Sequence, residues 1–198
     1  MYKKYVKRYL DIILSLIGIL ISIFPMGVIS LVIFLEDHGN PVFSQKRVGK
    51  NRKYFKLYKF RTMRKDAPHD MPTHLFKDAD KYMLKCGHVF RKTSLDELLQ
   101  LFNILKGDMS LIGPRPALWN QDDLVAEREK YGANAVLPGL TGWAQVNGRD
   151  ELEIPEKARL DGEYVKKLGF YMDVKCFLKT IGNVIKCKDV IEGENNKE

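Results

Sequence analysis

Asp96 and Glu97 stand just behind two cations in Arg91-Lys92-Thr93-Ser94-Leu95-Asp96-Glu97-Leu98, and no other stretch of the chain is as well suited to chemistry on phosphorus. A carboxylate that attacks a phosphorus atom must meet another anion, so it needs positive charge beside it. Arg91 and Lys92 can supply that charge. Two adjacent carboxylates can also divide the work, one facing substrate while the other holds a metal ion or handles a proton. A helix is expected to open here, and its free N–H groups favour a carboxylate or a phosphate. The same residues also have a bland structural reading, in which Ser94 and Glu97 form a capping box.

Three further stretches carry polar groups suited to binding. In Gly113-Pro114-Arg115-Pro116, two prolines fix where Arg115 points, which suits a bidentate phosphate contact as well as a plain turn. Lys59-Phe60-Arg61-Thr62-Met63 ends a strand-like run with two cations, Lys59 and Arg61, at either a phosphate or a solvated edge. Pro138 to Arg149 combines hinge glycines, Trp143, the amides Gln145 and Asn147, and Arg149, a mixture that fits a nucleotide or sugar pocket or a loop capping the core. The histidines, His38, His69, His74 and His88, show no ligand spacing and are read as structural or surface groups.

Elements must bring these stretches together. Val42–Gln45 and Tyr54–Phe60 read as strands, with the basic turn Gly49 to Arg52 between them, which makes a hairpin. Leu95, Leu98, Leu99, Phe102 and Leu105 lie on one face of a helix that Gly107 is placed to end. Residues 67–73 read as a turn-rich loop, and Asp122 to Tyr131 as a charged helix. Val174, Phe177, Leu178, Ile181, Val184 and Ile185 fall at helical spacing with Lys175, Lys179 and Lys186 between them. That helix either packs on a core or lies on an anionic membrane surface.

Lys+Arg 33 against Asp+Glu 25 gives a net charge of +8, which favours partners that carry phosphate. Cys86, Cys176 and Cys187 have no paired spacing, which argues against a zinc site or a disulfide framework. From Leu10 to Leu35 the chain is apolar, with Asp11 its only charge. A run of at least ~18 apolar residues can enter a bilayer. Pro25 lies inside it and predicts a kink or break near Ile21. Lys3, Lys4, Lys7 and Arg8 precede the run, and Lys46, Arg47, Lys50, Arg52 and Lys53 follow it. Two basic flanks favour a re-entrant segment that returns to its side of entry over a kinked single span. The anchor also argues against nucleic acid as the partner for the basic charge.

The stretches KFRTM, RKTSLDEL, FNILKGDMSLIGPRP and PGLTGWAQVNGR, in this order, resemble the signature blocks of the bacterial sugar transferase family, and more narrowly its small monotopic polyprenyl-phosphate phosphoglycosyltransferases. The resemblance covers nearly the whole chain. It implies a Mg2+-dependent dyad with Asp96 as nucleophile and Glu97 as its partner, both of them metal ligands. It implies phosphate or nucleotide contacts for Arg91 and Arg115, and its Leu-Asp-x-x-Tyr-Val pattern makes Asp161 a further candidate. Lys59, Arg61, Gln145 and Arg149 complete the expected binding set. Some relatives have Ser-Pro where this chain has Phe24-Pro25. Many have Pro where this chain has Leu99, which predicts a straighter helix here.

The fold expected is α+β and mostly helical, with a re-entrant membrane helix, a small β-hairpin and a compact catalytic domain with interfacial amphipathic helices. The divisions are 1–38 for the anchor, 39–190 for a cytosolic catalytic domain and 191–198 for a flexible tail. The expected reaction moves a sugar-1-phosphate from a UDP-sugar to a polyprenyl (undecaprenyl) phosphate through an aspartyl-phosphosugar, with release of UMP, as a first membrane step of glycoconjugate assembly. The expected location is the cytoplasmic face of the bacterial cytoplasmic membrane; a homodimer is one assembly left open. The alternative is a non-catalytic basic membrane module that binds lipid. It accounts for the anchor and the charge but not for Asp-Glu behind Arg-Lys.

Overall fold

The apolar run forms most of α1 (Lys7–Asp37), which a short π-helical turn (Tyr2–Val6) precedes. The computed structural model describes residues 1–68, 79–148 and 152–185. Arg149, His69, His74, Cys187, the later part of the expected 67–73 loop and the expected tail 191–198 lie outside them. α1 is long and apolar enough to cross a membrane by length and composition. Pro25 sits inside it as one continuous element. The break expected at Pro25 is therefore not a change of secondary structure. A proline removes a single helical donor, and a helix can bend there with its remaining bonds kept. On either side, Ser22 and Ser30 donate their hydroxyls to the Gly18 and Met26 carbonyls at 2.6 and 2.8 Å.

One stripe of α1 is buried: Asp11, Ser15, Ser22, Met26, Ile29 and Ile33. The opposite side is open, with Leu20, Ile21 and Phe24 each more than 70% exposed. After α1 come β1 (Val42–Val48) and β2 (Tyr54–Phe60), an antiparallel hairpin in register from Val42 opposite Phe60 to Val48 opposite Tyr54. β1 runs three residues past the expected Gln45, because Lys46, Arg47 and Val48 pair with Lys56, Phe55 and Tyr54.

Next are α2 (Ala79–Tyr82), α3 (Lys85–Lys92), a 3-10 turn (Leu95–Leu99) and α4 (Gln100–Lys106). The single straight helix expected from Leu95 is thus two elements, with 3-10 pitch up to Leu99 even without a proline there. Gly107 ends α4 at φ +95, as its position predicted. The capping box is absent: Ser94 adopts a left-handed conformation and its side chain caps nothing. β3 (Ser110–Ile112) and β4 (Gly139–Thr141) form a short parallel pair that the sequence did not announce. α5 (Asp122–Glu129), α6 (Ile154–Lys167) and α7 (Phe170–Ile185) complete the mostly helical fold.

Ile29 and Ile33 of α1 meet Leu57 and Phe60 of β2, Phe90 of α3 and Ile104 of α4 in the first core cluster. A second joins Ile112, Trp143, Val146, Tyr164, Met172 and Cys176. At roughly 25 cal/mol per Å2 of apolar surface, full burial of each large side chain contributes about 1.5–3 kcal/mol. α7 buries Met172 and Cys176, whereas Phe170, Tyr171, Phe177 and Leu178 are more than half exposed.

Candidate active site

The end of β2, the last turn of α3 and the 3-10 turn converge on Asp96. Lys59 lies one residue before the end of β2. Arg91 lies in the last turn of α3 and donates from Nε to Thr62 Oγ1 at 2.9 Å. α3 comes very close to the chain beyond β2: a Cβ on Gly87 would stand 2.3 Å from the Thr62 carbonyl oxygen. That carbonyl accepts the Leu84 N–H at 2.9 Å. Ser94, at φ +57, then reverses the chain, so the 3-10 turn starts with Asp96 facing inward. Asp96 is 6% exposed, while Glu97 is half-buried.

Arg115 reaches the dyad from a separate loop, donating from Nη2 to Glu97 Oε1 at 2.9 Å. Backbone interlocking holds that loop. Gly113 donates to the Thr141 carbonyl, and Gly139 to the Pro114 carbonyl, both at 2.8 Å. A Cβ on Gly139 would lie 2.1 Å from Gly113 N, and one on Gly142 2.0 Å from Gly113 O. The glycines of the two loops are therefore needed for this backbone approach. The hairpin braces the same loop: Arg47 Nη1 donates to Pro116 O at 3.0 Å, and Val48 N to Ala117 O at 2.9 Å.

The charges act strongly on one another. Burial, then the neighbouring Glu97 carboxylate, pushes the Asp96 carboxyl up to about 6, against the opposing pull of Lys59, Arg91 and Arg115. Burial, then Arg91, pushes the Lys59 ammonium down to about 8; Asp96 and Glu97 oppose this and Arg47 adds to it. Lys59, Arg91, Asp96, Glu97 and Arg115 thus form one cluster. The dyad offers carboxylate oxygen alone, and among the described residues no group of three or more His, Cys, Asp or Glu gathers as a metal cage. Such a donor set fits a hard divalent cation that keeps water and shares its coordination with substrate phosphates.

Other expected site residues are engaged elsewhere. Arg61 pairs with Asp37 at the end of α1, and its Nε donates to Asn40 O at 2.8 Å. Asp161 is buried against Arg128, whose Nη2 lies 2.6 Å from Oδ2. Gln145 Nε2 donates to Leu140 O at 3.1 Å, within its own loop. Sequence reasoning missed Asn103, which is fully buried; its Nδ2 donates to Lys56 O at 2.7 Å and its Oδ1 accepts Tyr58 N–H at 3.0 Å, which ties α4 to β2. One amide in an amphipathic run gives no sign of that role. Arg47 stands in sequence only as part of a basic flank, since its contact with Pro116 lies far along the chain.

A sequence model described as bacterial sugar transferase matches residues 2–187. The chain is 38% identical to the galactosyl transferase CpsE of Streptococcus agalactiae over 90% of this chain and 42% of that protein. It is 42% identical to the uncharacterized sugar transferase EpsL of Bacillus subtilis, over 83% of this chain and 78% of that one. It is 36% identical to the UDP-glucose:undecaprenyl-phosphate glucose-1-phosphate transferase of Escherichia coli, over 88% and 39% respectively. The chain thus spans about two fifths of the length of the Streptococcus and Escherichia relatives.

Proposed function

The chain belongs to the bacterial sugar transferase family, and from that premise we propose that it transfers a sugar-1-phosphate from a UDP-sugar to a polyprenyl phosphate, such as undecaprenyl phosphate. The observation that carries this reading is a buried carboxylate, Asp96, set against a second carboxylate and faced by Lys59, Arg91 and Arg115. The names of the relatives from Escherichia coli and Komagataeibacter xylinus describe undecaprenyl-phosphate sugar phosphotransfer and point the same way.

Asp96 attacks the sugar-bearing phosphorus. An oxygen–phosphorus bond forms, the bond to the UMP oxygen breaks, and UMP leaves as an anion that needs no proton. An oxygen of the polyprenyl phosphate then attacks the same phosphorus, and the aspartyl bond breaks to restore the carboxylate. Two displacements through a covalent species give ping-pong kinetics. Lys59, Arg91 and Arg115 offset charge that gathers on the phosphoryl oxygens. Asp96 and Glu97 would hold a Mg2+ ion, which supplies Lewis-acid neutralisation of the diphosphate.

α1 is proposed as a re-entrant anchor. Support comes from both of its ends, which bind the same domain. Near the start, Arg8 donates to the Ile104 and Leu105 carbonyls at 2.6 and 2.9 Å, and Asp11 Oδ1 accepts Leu111 N–H at 2.9 Å. At the far end, Glu36 accepts the Lys85 and Cys86 N–H groups at 2.6 and 3.1 Å, and Asp37 pairs with Arg61. A domain that holds both ends lies on one side of the membrane, and the basic flanks favour the cytoplasmic one. The exposed apolar side chains of α7, flanked by lysines, would lie at the interface, where the lipid's phosphate is found.

The test is UMP release by the full chain in detergent with polyprenyl phosphate, Mg2+ and a panel of UDP-sugars, beside Asp96→Asn. UMP appearing with one donor and vanishing in the variant supports the reading. Release of UDP instead, or turnover retained by Asp96→Asn, refutes it.

A further inference from the structure

We infer that Thr62 is the positioning residue for Arg91, holding its guanidinium towards the dyad; this rests on the phosphotransfer reading above. Arg91 is half-buried at the end of an eight-residue helix, beside a left-handed Ser94. An arginine side chain free to sample its rotamers gives up entropy each time it meets a phosphate. Fixing Nε sets the plane of the guanidinium and with it the direction in which its Nη groups face. Thr62 Oγ1 accepts that Nε–H at 2.9 Å.

The hydroxyl that does this is itself immobile. Thr62 is 2% exposed, and its carbonyl holds Leu84 N–H while Gly87 packs against it. On one side, Arg61 is clamped to Asp37 and Asn40 at the end of α1. On the other, Met63 bridges to Met83 and Arg64 N donates to Tyr82 O at 2.7 Å. Arg61 and Thr62 thereby divide the work of one short segment. Arg61 secures it to the anchor, and Thr62 presents an acceptor to the arginine that faces the reacting phosphate. Neither side chain needs to touch substrate.

The test is a double-mutant cycle on UDP affinity, measured with the full chain in detergent by titration calorimetry, so that loss of turnover does not end the experiment. Thr62→Val keeps the shape and removes the hydroxyl. Losing a hydrogen bond to a charged group predicts about ten-fold weaker UDP binding. In an Arg91→Ala background the same change should cost nothing further. Thr62→Ser should restore both UDP affinity and the KM for the donor. Equal losses from Thr62→Val in both backgrounds, or no rescue by serine, overturn the inference, and so does an Arg91→Ala variant that binds UDP as well as the parent. Absence of UMP release by the parent chain would instead count against the phosphotransfer reading itself.

Discussion

Arg115 donates to Glu97 Oε1 at 2.9 Å, so the cation of the proline-flanked loop is engaged by the second carboxylate of the dyad. Glu97 nevertheless remains, after burial, the main cause that raises the Asp96 carboxyl to about 6. In the proposed mechanism Asp96 attacks as the ionised carboxylate, so UMP release by the parent should decline as pH falls through about 6. Glu97→Gln removes a negative neighbour and should move that acidic limb to lower pH, while losing a proposed metal ligand should lower the rate. The pH dependence of kcat/KM for both proteins decides this. A limb that rises in the variant would refute the electrostatic account.

The same shift has a stability consequence. An ordinary aspartate titrates near ~3.9. Raised to about 6, Asp96 binds its proton more tightly in the folded state than in the unfolded one. Stability contributed by the protonated form is therefore lost as pH climbs from about 4 to 6. Asp96→Asn carries no charge and should be more stable than the parent at pH 7 by roughly 1–3 kcal/mol, with the difference closing near pH 4. Thermal unfolding at the two pH values measures it.

Lys59 sets the other side of the profile. Its ammonium is pushed down to about 8, so the positive charge beside Asp96 fades as pH rises through that value. Turnover should fall on this alkaline limb. Lys59→Arg keeps its charge at every accessible pH. The variant should lose the limb near 8 even if its rate on the plateau is lower. An unchanged alkaline limb would assign that titration to a different group.

The dyad, the hairpin and the helix ended by Gly107 were legible because each rests on local residue types: adjacent carboxylates, alternating strand residues, and a glycine able to take positive φ. Arg61 and Arg115 looked alike in sequence, each a cation in a short motif with a phosphate contact as one reading. Only the fold separates them, since Asp37 engages the first and Glu97 the second. The capping box failed for a similar reason. Packing of the 3-10 turn places Glu97 towards Arg115, and a propensity at Ser94 cannot compete with that. Asn103, Thr62 and the β3–β4 pair depend on partners tens of residues away, which no local pattern carries.

The two ends of α1 offer a direct check of the proposed re-entrant anchor. Lys4→Cys and His38→Cys, made in a chain whose own cysteines are replaced, should react with a membrane-impermeant thiol reagent from the same side of sealed vesicles. Reaction from opposite sides would require α1 to cross the bilayer and would break the contacts that Arg8 and Glu36 make with the domain.

Asp161 remains from the expected substrate-binding set, and its surroundings argue for support of the fold. Its Oδ2 accepts Arg128 Nε at 2.8 Å, and the two side chains are 1% and 5% exposed. Removing one partner of such a pair leaves a buried charge uncompensated, at a cost of about 3–5 kcal/mol. Asp161→Ala should therefore lower the thermal midpoint sharply, and Arg128→Ala should do the same. At a temperature where the variant stays folded, its donor KM should match the parent's, because the Asp161 side chain is buried out of a substrate's reach. A raised KM in a protein of unchanged stability would return Asp161 to the binding site.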